Sequence, residues 1–169
     1  MKEKAANRYF EIRESEVQGK GGFAITKIRK GQRIIEYTGE IISTDEEAER
    51  YDDENMDRHH TFLFSIDEDW TIDAGTIGSD AKYINHSCDP NCEAVNEDGH
   101  IFIEAVRTIQ PGEELNYDYS YEQEEPLTQE LIDQYPCYCG AENCRGTILL
   151  YNPPEKKKKK KKSKRRRRR

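Results

Sequence analysis

Three cysteines in the last third of the chain restrict most strongly how it can fold. Cys137, Cys139 and Cys144 form a C-x-C-x4-C pattern on a glycine-containing loop. Structural zinc is held by four ligands in a tetrahedron, and no Cys or His follows Cys144, so a fourth ligand must come from earlier in the chain. The candidates are Cys88, Cys92 and the four histidines. The alternative is a loop with three free thiols.

The stretch YINHSCDPNC, residues 83–92, lies in the middle of the chain and is polar where a core segment would be apolar. A chain of this length buries about 70% of the surface that it exposes when unfolded, so a real core is expected around it. The stretch contains three of the candidate ligands, His86, Cys88 and Cys92. If the cysteine loop binds a metal, the metal ties the C-terminal segment to the centre of the chain.

The net charge of −7 averages two unlike parts. Residues 156–169 carry 13 of the 27 Lys and Arg, and all 34 Asp and Glu precede them, which leaves the rest of the chain at −20. A block of like charge cannot bury apolar surface, so we expect a disordered basic tail after the Pro153-Pro154 pair. Nuclear targeting, contact with nucleic acid, attraction to the acidic body and a solvated tail without a specific partner all fit this composition.

The sequence contains neither a run typical of a signal peptide nor an apolar stretch long enough to cross a membrane. Its five cysteines are an odd number, which favours thiols or metal ligands over a disulfide framework. We expect a soluble, intracellular protein in a reducing compartment. The basic tail points to the nucleus or a nucleoid, with the cytoplasm as the alternative.

Short β-type runs dominate the acidic body. They are bounded by Gly, Asp or Lys clusters and cover residues 8–14, 21–26, 33–42, 61–67 and 70–74. Residues 92–106 alternate around Asp98-Gly99, which predicts a hairpin. Helices are predicted only at 43–54, with Ser43 or Thr44 as the N-cap, and at 128–135 after Thr128. The expected fold is mainly β with few short helices, and the order of strand pairing stays open.

Two further motifs carry polar or flexible groups. Tyr117, Tyr119 and Tyr121 are spaced two apart, so on a strand they would project from one face, either as half-buried packing or as part of a site. GKGGF at 19–23 lets the backbone approach a ligand, but it is neither the dinucleotide motif nor a phosphate loop.

Taken in order, GKGGFA, TFLFSID, YINHSCDPNC, GEELNYDY and C-x-C-x4-C resemble a SET-domain protein lysine methyltransferase with its cysteine-rich post-SET segment. The resemblance covers residues 8–150. It implies a β-clip-like SET fold with a pseudoknot at 8–122, a small zinc-bound post-SET loop at 123–150, and the basic tail at 151–169. It also implies that the methyl donor S-adenosylmethionine binds beside the Asn-His-Ser segment.

The resemblance also implies roles for individual residues. The implied donor-binding residues are Gln18, Lys20, Phe62, Asn85, His86 and Tyr138. Asn85 and His86 would act largely through backbone groups. Cys88 would join Cys137, Cys139 and Cys144 around one structural zinc ion, which leaves Cys92 spare.

Two tyrosines are the implied catalytic residues. Tyr119 matches the near-invariant tyrosine of the family and would orient the amine and the donor. Tyr117 falls where SET enzymes carry Phe or Tyr, and Tyr there leaves less room for a growing methylammonium, so we expect mono- or dimethylation. Phe62 departs from the pattern, because many relatives have a channel tyrosine at this position.

The implied substrate is a basic, histone-like peptide that lies along a sheet edge and inserts one lysine. An acidic body would attract such a peptide. The run from Lys156 to Lys164 is a candidate acceptor within the same chain, or a mimic that occupies the groove. Two other classes of function are open: a catalytically inactive SET-like binding module, which Phe62 allows, and a structural zinc protein that contacts nucleic acid through its tail.

Overall fold

A computed structural model gives the fold of the chain and describes residues 7–51 and 62–153. Parts of three predicted features lie outside the described residues: 52–54 of the first helix, Thr61, and 154–169 of the tail. Within the described ranges the chain is mainly β-strand with few helices, which confirms the predicted fold class.

The described elements are short. The strands are β1 (Phe10–Glu14), β2 (Lys20–Ala24), β3 (Arg33–Tyr37), β4 (Glu40–Ser43), β5 (Leu63–Ser65), β6 (Trp70–Asp73), β7 (Asn85–His86), β8 (Cys92–Glu97), β9 (His100–Ala105), β10 (Asn116–Tyr117), β11 (Tyr121–Gln123) and β12 (Leu149–Tyr151). The helices are α1 (Thr44–Arg50) and α2 (Gln129–Gln134), with a 3₁₀ turn at Asp80–Tyr83.

The strands form small sheets rather than one large one. Three are antiparallel: the pair β1-β2 and the three-stranded sheets β3-β9-β8 and β4-β6-β5. Two are parallel pairs, β7 with β10 and β11 with β12. Each parallel pair joins segments that are distant in sequence, so the two pairs bring the central polar stretch and the C-terminal segment to the tyrosine-containing region.

The hairpin predicted at 92–106 is confirmed as β8 and β9. Its turn residues Asp98 and Gly99 have φ angles of 53° and 85°. Positive φ at both central residues matches the right-handed twist of the strands, and Asp-Gly is a favoured pair for such a turn.

The single strand predicted at 33–42 is wrong, because β3 and β4 belong to different sheets. The chain leaves β3 at Tyr37 and passes through Gly39 before β4. A Cβ atom at Gly39 would overlap the carbonyl of Asp73, so only glycine allows this close approach of β4 to β6. Alternating apolar residues continue across the break, which is why the sequence pattern did not show it.

Both predicted helix starts are confirmed. The Ser43 hydroxyl accepts a hydrogen bond from Glu46 N at 3.2 Å, and the Thr128 hydroxyl accepts one from Leu131 N at 3.2 Å. These side chains satisfy backbone donors that the first turn of a helix leaves free. Among the described residues, no helix has the length and apolar character to cross a membrane.

The core is rich in isoleucine and extends to the edge of the polar stretch. Ile28, Ile103, Ile109 and Ile84 are fully buried. Burial of such a side chain contributes about 1.5 to 3 kcal/mol. Because Ile84 directly precedes Asn85, this anchoring holds the start of the polar stretch against the core.

Candidate functional site

Four cysteine side chains converge in the structure. The Sγ atoms of Cys88, Cys137, Cys139 and Cys144 all lie within 4.8 Å of one another, and Cys88 and Cys137 Sγ are 3.8 Å apart. A tetrahedral zinc site with Zn–S bonds near 2.3 Å requires S–S separations of about 3.8 Å, so the cluster fits such an ion. The predicted convergence of these four residues is confirmed, and the cluster could hold a metal ion.

Cys92 takes no part in this cluster. It is fully buried in the core, where it is one of the side chains packed around Ile103. Burial raises the pKa of its thiol to about 12, so it stays protonated. This choice between Cys88 and Cys92 could not be made from the spacing of residues alone.

Glycines shape the loop that carries three of the thiols. Gly140 and Gly146 have φ angles of 70° and 75°, which side chains rarely adopt. The loop is closed at its base by the bond from Cys137 N to Gly146 O at 3.1 Å and by the bridge between Pro136 and Thr147. The thiols therefore point inward from a closed loop.

The thiols of the cluster differ in their electrostatics: burial raises the pKa of Cys88 and of Cys137, whereas the pKa of Cys139 is lowered. Arg145 N donates to Cys88 Sγ and Gly146 N to Cys144 Sγ, both at 3.4 Å. Burial alone would raise the pKa of Cys139, but hydrogen bonds from the backbone of Cys88 and from neighbouring groups outweigh it and lower the pKa to about 6. Metal ions bind the thiolate form, so these contacts favour ligation.

Asn85 uses its side chain to fix the glycine-containing loop. Its Nδ2 atom lies near four acceptors: Glu114 Oε1 at 2.9 Å, Lys20 O at 3.0 Å, and Gln18 O and Ser15 Oγ at 3.3 Å. The residue is 5% exposed. The amide nitrogen is thus engaged within the protein, and the backbone of Asn85 pairs with Asn116 of β10.

His86 joins the cysteine cluster to the tyrosines. Its Nδ1 atom accepts a hydrogen bond from Tyr119 N at 3.0 Å, and Nε2 lies 3.4 Å from Cys88 Sγ. Burial lowers the pKa of the imidazole to about 4, despite the Asp118 carboxylate at 3.6 Å. The ring is therefore neutral, with its proton on Nε2, and serves as a bridge.

The three tyrosines form a row, but not on one regular strand. Ring centroids are 4.9 Å apart for Tyr117 and Tyr119 and 6.2 Å apart for Tyr119 and Tyr121. Tyr117 ends β10 and Tyr121 begins β11, and Ser120 between them has a φ of 49°. The expected continuous strand is wrong at this kink, although the rings remain adjacent.

Burial defines the chemical state of the tyrosine row. Tyr117 is 5% exposed, and the Tyr119 hydroxyl donates to Ile84 O at 2.9 Å. Burial raises the pKa of both hydroxyls well above the ordinary value for tyrosine. Both groups are therefore neutral hydrogen-bond donors near physiological pH and not bases.

An aromatic pair with two nearby amines joins Phe62 to Tyr83, which lies two residues before Asn85 in sequence. Phe62 and Tyr83 contact edge to face at 5.9 Å. Lys82 Nζ lies 5.3 Å from the ring centre of Phe62, and Lys20 Nζ lies 5.9 Å from that of Tyr83. The pair presents π faces to positive charge. No role was predicted for Tyr83 or Lys82, although Tyr83 begins the polar stretch and Lys82 directly precedes it.

The remaining predicted site residues lie near the surface. Tyr138, in the cysteine loop, is 64% exposed, and Gln18 contributes its backbone carbonyl to Asn85. The sequence analysis also missed Asp118 and Arg145, which form an ion pair between the tyrosine row and the cysteine loop. The Y-D-Y pattern could have pointed to Asp118, since it is enclosed by two site tyrosines.

The mainly β fold, the four-thiol cluster and the bridge from it to buried tyrosines define a SET-type domain. A family profile described as SET domain matches residues 19–120. The match spans more than half of the chain, so the chain belongs to the SET-domain family, a family of methyltransferases.

The chain is also similar to curated proteins named as histone-lysine N-methyltransferases. It is 40% identical over 149 residues to "Histone-lysine N-methyltransferase trr" of Drosophila melanogaster, which covers 86% of this chain and 6% of that protein. It is 40% identical over 150 residues to "Histone-lysine N-methyltransferase, H3 lysine-4 specific" of Schizosaccharomyces pombe. This match covers 85% of this chain and 15% of that protein. It is 38% identical over 142 residues to "Histone-lysine N-methyltransferase SETD1B" of Xenopus laevis. This match covers 80% of this chain and 7% of that protein. The chain therefore spans only a small part of the length of these relatives.

Proposed function

We propose that this chain is an S-adenosylmethionine-dependent protein-lysine N-methyltransferase that acts on basic, histone-like proteins. The observation that carries the proposal is the contact between Tyr119 and His86, with N–H to Nδ1 at 3.0 Å and ring centroids 5.3 Å apart. It joins the tyrosine row, of which Tyr117 is buried and Tyr119 partly buried, to the central polar stretch beside a four-thiol cluster. Membership of the SET-domain family and the names of the relatives support the same activity.

The proposed donor site lies between the glycine-containing loop and the polar stretch. Its residues are those implied by the resemblance: Gln18, Lys20, Phe62, Asn85, His86 and Tyr138. The resemblance implies that Asn85 and His86 act largely through backbone groups, and their side chains hold the neighbouring segments in place by hydrogen bonds to Lys20 O and from Tyr119 N. The donor is a sulfonium cation, and the ring faces of Phe62 and Tyr83 suit a positive charge.

The reaction needs an uncharged lysine amine. A free lysine has a pKa of about 10.4, so deprotonation at pH 7.4 costs about 4 kcal/mol. Buried tyrosine rings reduce this cost because they remove water from the ammonium and disfavour its charge. The positive sulfur of the donor nearby acts in the same direction.

Tyr119 orients the reactants and does not take the proton. Its hydroxyl is bound to Ile84 O, and its raised pKa keeps it protonated. The lysine proton therefore leaves through water. Holding the amine in line with the methyl carbon supplies most of the rate, because oriented reactants gain up to about 7 to 11 kcal/mol over free ones.

The four cysteines would hold one structural zinc ion. Such an ion contributes on the order of 10 kcal/mol in small sites, through its bonds to thiolates. In this chain, Cys88 would connect the polar stretch to the loop that carries Tyr138. Loss of the metal would therefore weaken the donor site together with the fold.

The proposed products are mono- and dimethyl-lysine. Tyr117 is buried, and its ring lies between those of Tyr119 and Phe64, with centroids at 4.9 and 6.2 Å. A hydroxyl in this enclosed space can retain water and limits the room for a third methyl group.

The proposed substrate is a basic protein such as a histone, and the proposed location is the nucleus. The charge of −20 on residues 1–155 favours encounter with a basic peptide. The division into a SET domain at 8–122 and a post-SET segment at 123–150 remains part of the proposal. Contact of the basic tail with nucleic acid also stays a prediction, which deletion of residues 156–169 and a salt titration would test.

Incubation with S-adenosylmethionine and mixed histones tests the proposal. Mass spectrometry should find methylated lysine with the unaltered chain, and Tyr119→Phe should lower the rate by at least tenfold. Tyr9→Phe, which alters a partly buried tyrosine of the core cluster outside the row, should leave the rate unchanged. Donor binding without any methylated lysine would instead indicate an inactive binding module.

A further inference from the structure

The C-terminal end of the described chain is held close to the tyrosine row. β12 pairs with β11 in parallel, with Leu149 opposite Tyr121 and Tyr151 opposite Gln123. Asn152 N donates to Gln123 O at 2.9 Å, which extends this pairing by one residue. Tyr121 in turn contacts the ring of Tyr119 at 6.2 Å. The basic segment therefore follows a strand whose first residue, Leu149, is paired with the end of the tyrosine row.

Covalent geometry brings the first lysines of that segment within reach. Paired strands lie about 4.8 Å apart and rise about 3.3 Å per residue, so Tyr151 lies within about 20 Å of Tyr119. A chain spans at most about 3.5 Å per residue, which gives Lys156 a reach of about 17 Å from Tyr151 and Lys164 about 45 Å. The maximum reach of the lysine run thus covers the distance to the site.

Charge favours the same encounter. Residues 156–169 carry 13 positive charges, and the rest of the chain has a net charge of −20. Three exposed carboxylates lie in β11 or directly after it, beside the end of β12: Glu122, Glu124 and Glu125. Tethering adds to this attraction, since a linked ligand meets its site at effective concentrations in the mM range.

We propose that the lysines at 156–162 and 164 are methyl acceptors for the active site of their own chain. This inference rests on the proposed function. The neutral Nζ of a tail lysine attacks the methyl carbon of the sulfonium, the N–C bond forms as the C–S bond breaks, and the bonding pair returns to sulfur. The donor leaves as a neutral thioether, and the amine proton has passed to water. The tail also competes with basic substrates for the site.

The test uses the full chain and methyl-labelled donor with no other protein present. Glutamyl endopeptidase cleaves after Glu155, and mass spectrometry then measures methylation of the peptide 156–169. The control variant carries Lys→Arg at 156–162 and 164, which keeps the charge and the length but removes every acceptor amine. We expect label in the wild-type peptide and at least a tenfold loss in the variant.

Dilution separates methylation within one chain from methylation between chains. Within one chain, a tenfold dilution of the protein leaves the labelled fraction per chain unchanged at a given time. A tenfold fall, or equal labelling of an added Tyr119→Phe chain, would show transfer between molecules and overturn the proposal.

The same variant distinguishes this inference from the proposed function. With mixed histones as substrate, the tail variant should be at least as active as the wild type, because the competing amines are gone. Methylated histones together with an unlabelled tail overturn the inference and leave the proposed function standing. If neither histones nor the tail is labelled, the proposed function fails and this inference fails with it.

Discussion

The guanidinium of Arg145 holds the carboxylate of Asp118 in a two-pronged ion pair, with N–O distances of 2.7 and 3.0 Å. Asp118 lies between Tyr117 and Tyr119, and the backbone N–H of Arg145 donates to Cys88 Sγ at 3.4 Å. Both side chains are 27% exposed. Although burial opposes it, the pair lowers the pKa of Asp118. The pair thus links the cysteine cluster directly to the backbone of the tyrosine row.

Arg145→Ala should lower the free energy of unfolding by about 1 to 3 kcal/mol, because it leaves a half-buried carboxylate without its main partner. It should also lower kcat more than it weakens donor binding, since the backbone of Tyr119 loses its support. Urea unfolding and steady-state kinetics measure the two effects.

Arg107→Ala is the matched control for this ion pair. Arg107 pairs with Glu113 at 2.9 Å, but its side chain is 53% exposed. Exposed pairs contribute about 0.2 to 1 kcal/mol. Equal effects of the two substitutions on stability and kcat would contradict the special position of Arg145.

Removal of the proposed zinc ion should affect stability and donor binding together. Treatment with a strong chelator should lower Tm by about 20 °C or more, since metal binding on the order of 10 kcal/mol is lost and each kcal/mol corresponds to about 2 to 4 °C in a chain of this length. Calorimetric titration with S-adenosylmethionine should show at least a tenfold weaker affinity for the chelated chain.

Single cysteine substitutions locate the metal. Elemental analysis should find about one zinc ion per chain in the wild type and in Cys92→Ala, and much less than one in Cys139→Ala, because a tetrahedral site needs all four thiolates. Retention of a full zinc ion by Cys139→Ala would place the metal elsewhere.

The elements that sequence reasoning predicted well are those fixed by local chemistry. Asp98-Gly99 identified its hairpin because few residue pairs suit two positive φ angles. Ser43 and Thr128 marked the helix starts because a hydroxyl is the natural cap for free backbone donors. The cysteine spacing indicated a metal site because zinc imposes its own ligand number.

Features that depend on tertiary contact escaped the sequence. The break between β3 and β4 lies at Gly39, where the backbone of Asp73 comes close. The residues around Gly39 do not indicate this approach, because Asp73 is distant in sequence. The choice of Cys88 over Cys92 depends on which side of a short segment faces the core, so the spacing left it open and the family resemblance supplied it. The pairing of Arg145 with Asp118 joins residues that only the folded chain brings together.

Asn85→Ala should lower the free energy of unfolding by about 2 to 3 kcal/mol, because it removes the donor shared by Glu114, the Lys20 carbonyl and their neighbours. The glycine-containing loop loses its anchor, so donor affinity should also fall at least tenfold. Urea unfolding and donor titration provide the measurements.

Asn96→Ala, which removes an exposed amide bound to Ile66 O at 3.0 Å, should cost less than about 1 kcal/mol and leave donor affinity unchanged. Unchanged donor affinity in Asn85→Ala would count against a donor site at this loop.

Tyr117→Phe should shift the products toward trimethyl-lysine. The ring should stay in place, because Tyr119 and Phe64 pack against it at 4.9 and 6.2 Å and the residue is 5% exposed. Only the hydroxyl is lost, and with it the capacity to retain water in the enclosed space. The freed volume admits a third methyl group on the amine.

Time-resolved mass spectrometry of a histone peptide measures this shift. In the wild type, mono- and dimethyl forms should accumulate and persist, whereas in Tyr117→Phe the trimethyl form should become the main product at long times. Tyr9→Phe removes a tyrosine hydroxyl packed against another part of the core and should leave the distribution as in the wild type. An unchanged distribution in Tyr117→Phe would count against the proposed role of Tyr117 in limiting methylation.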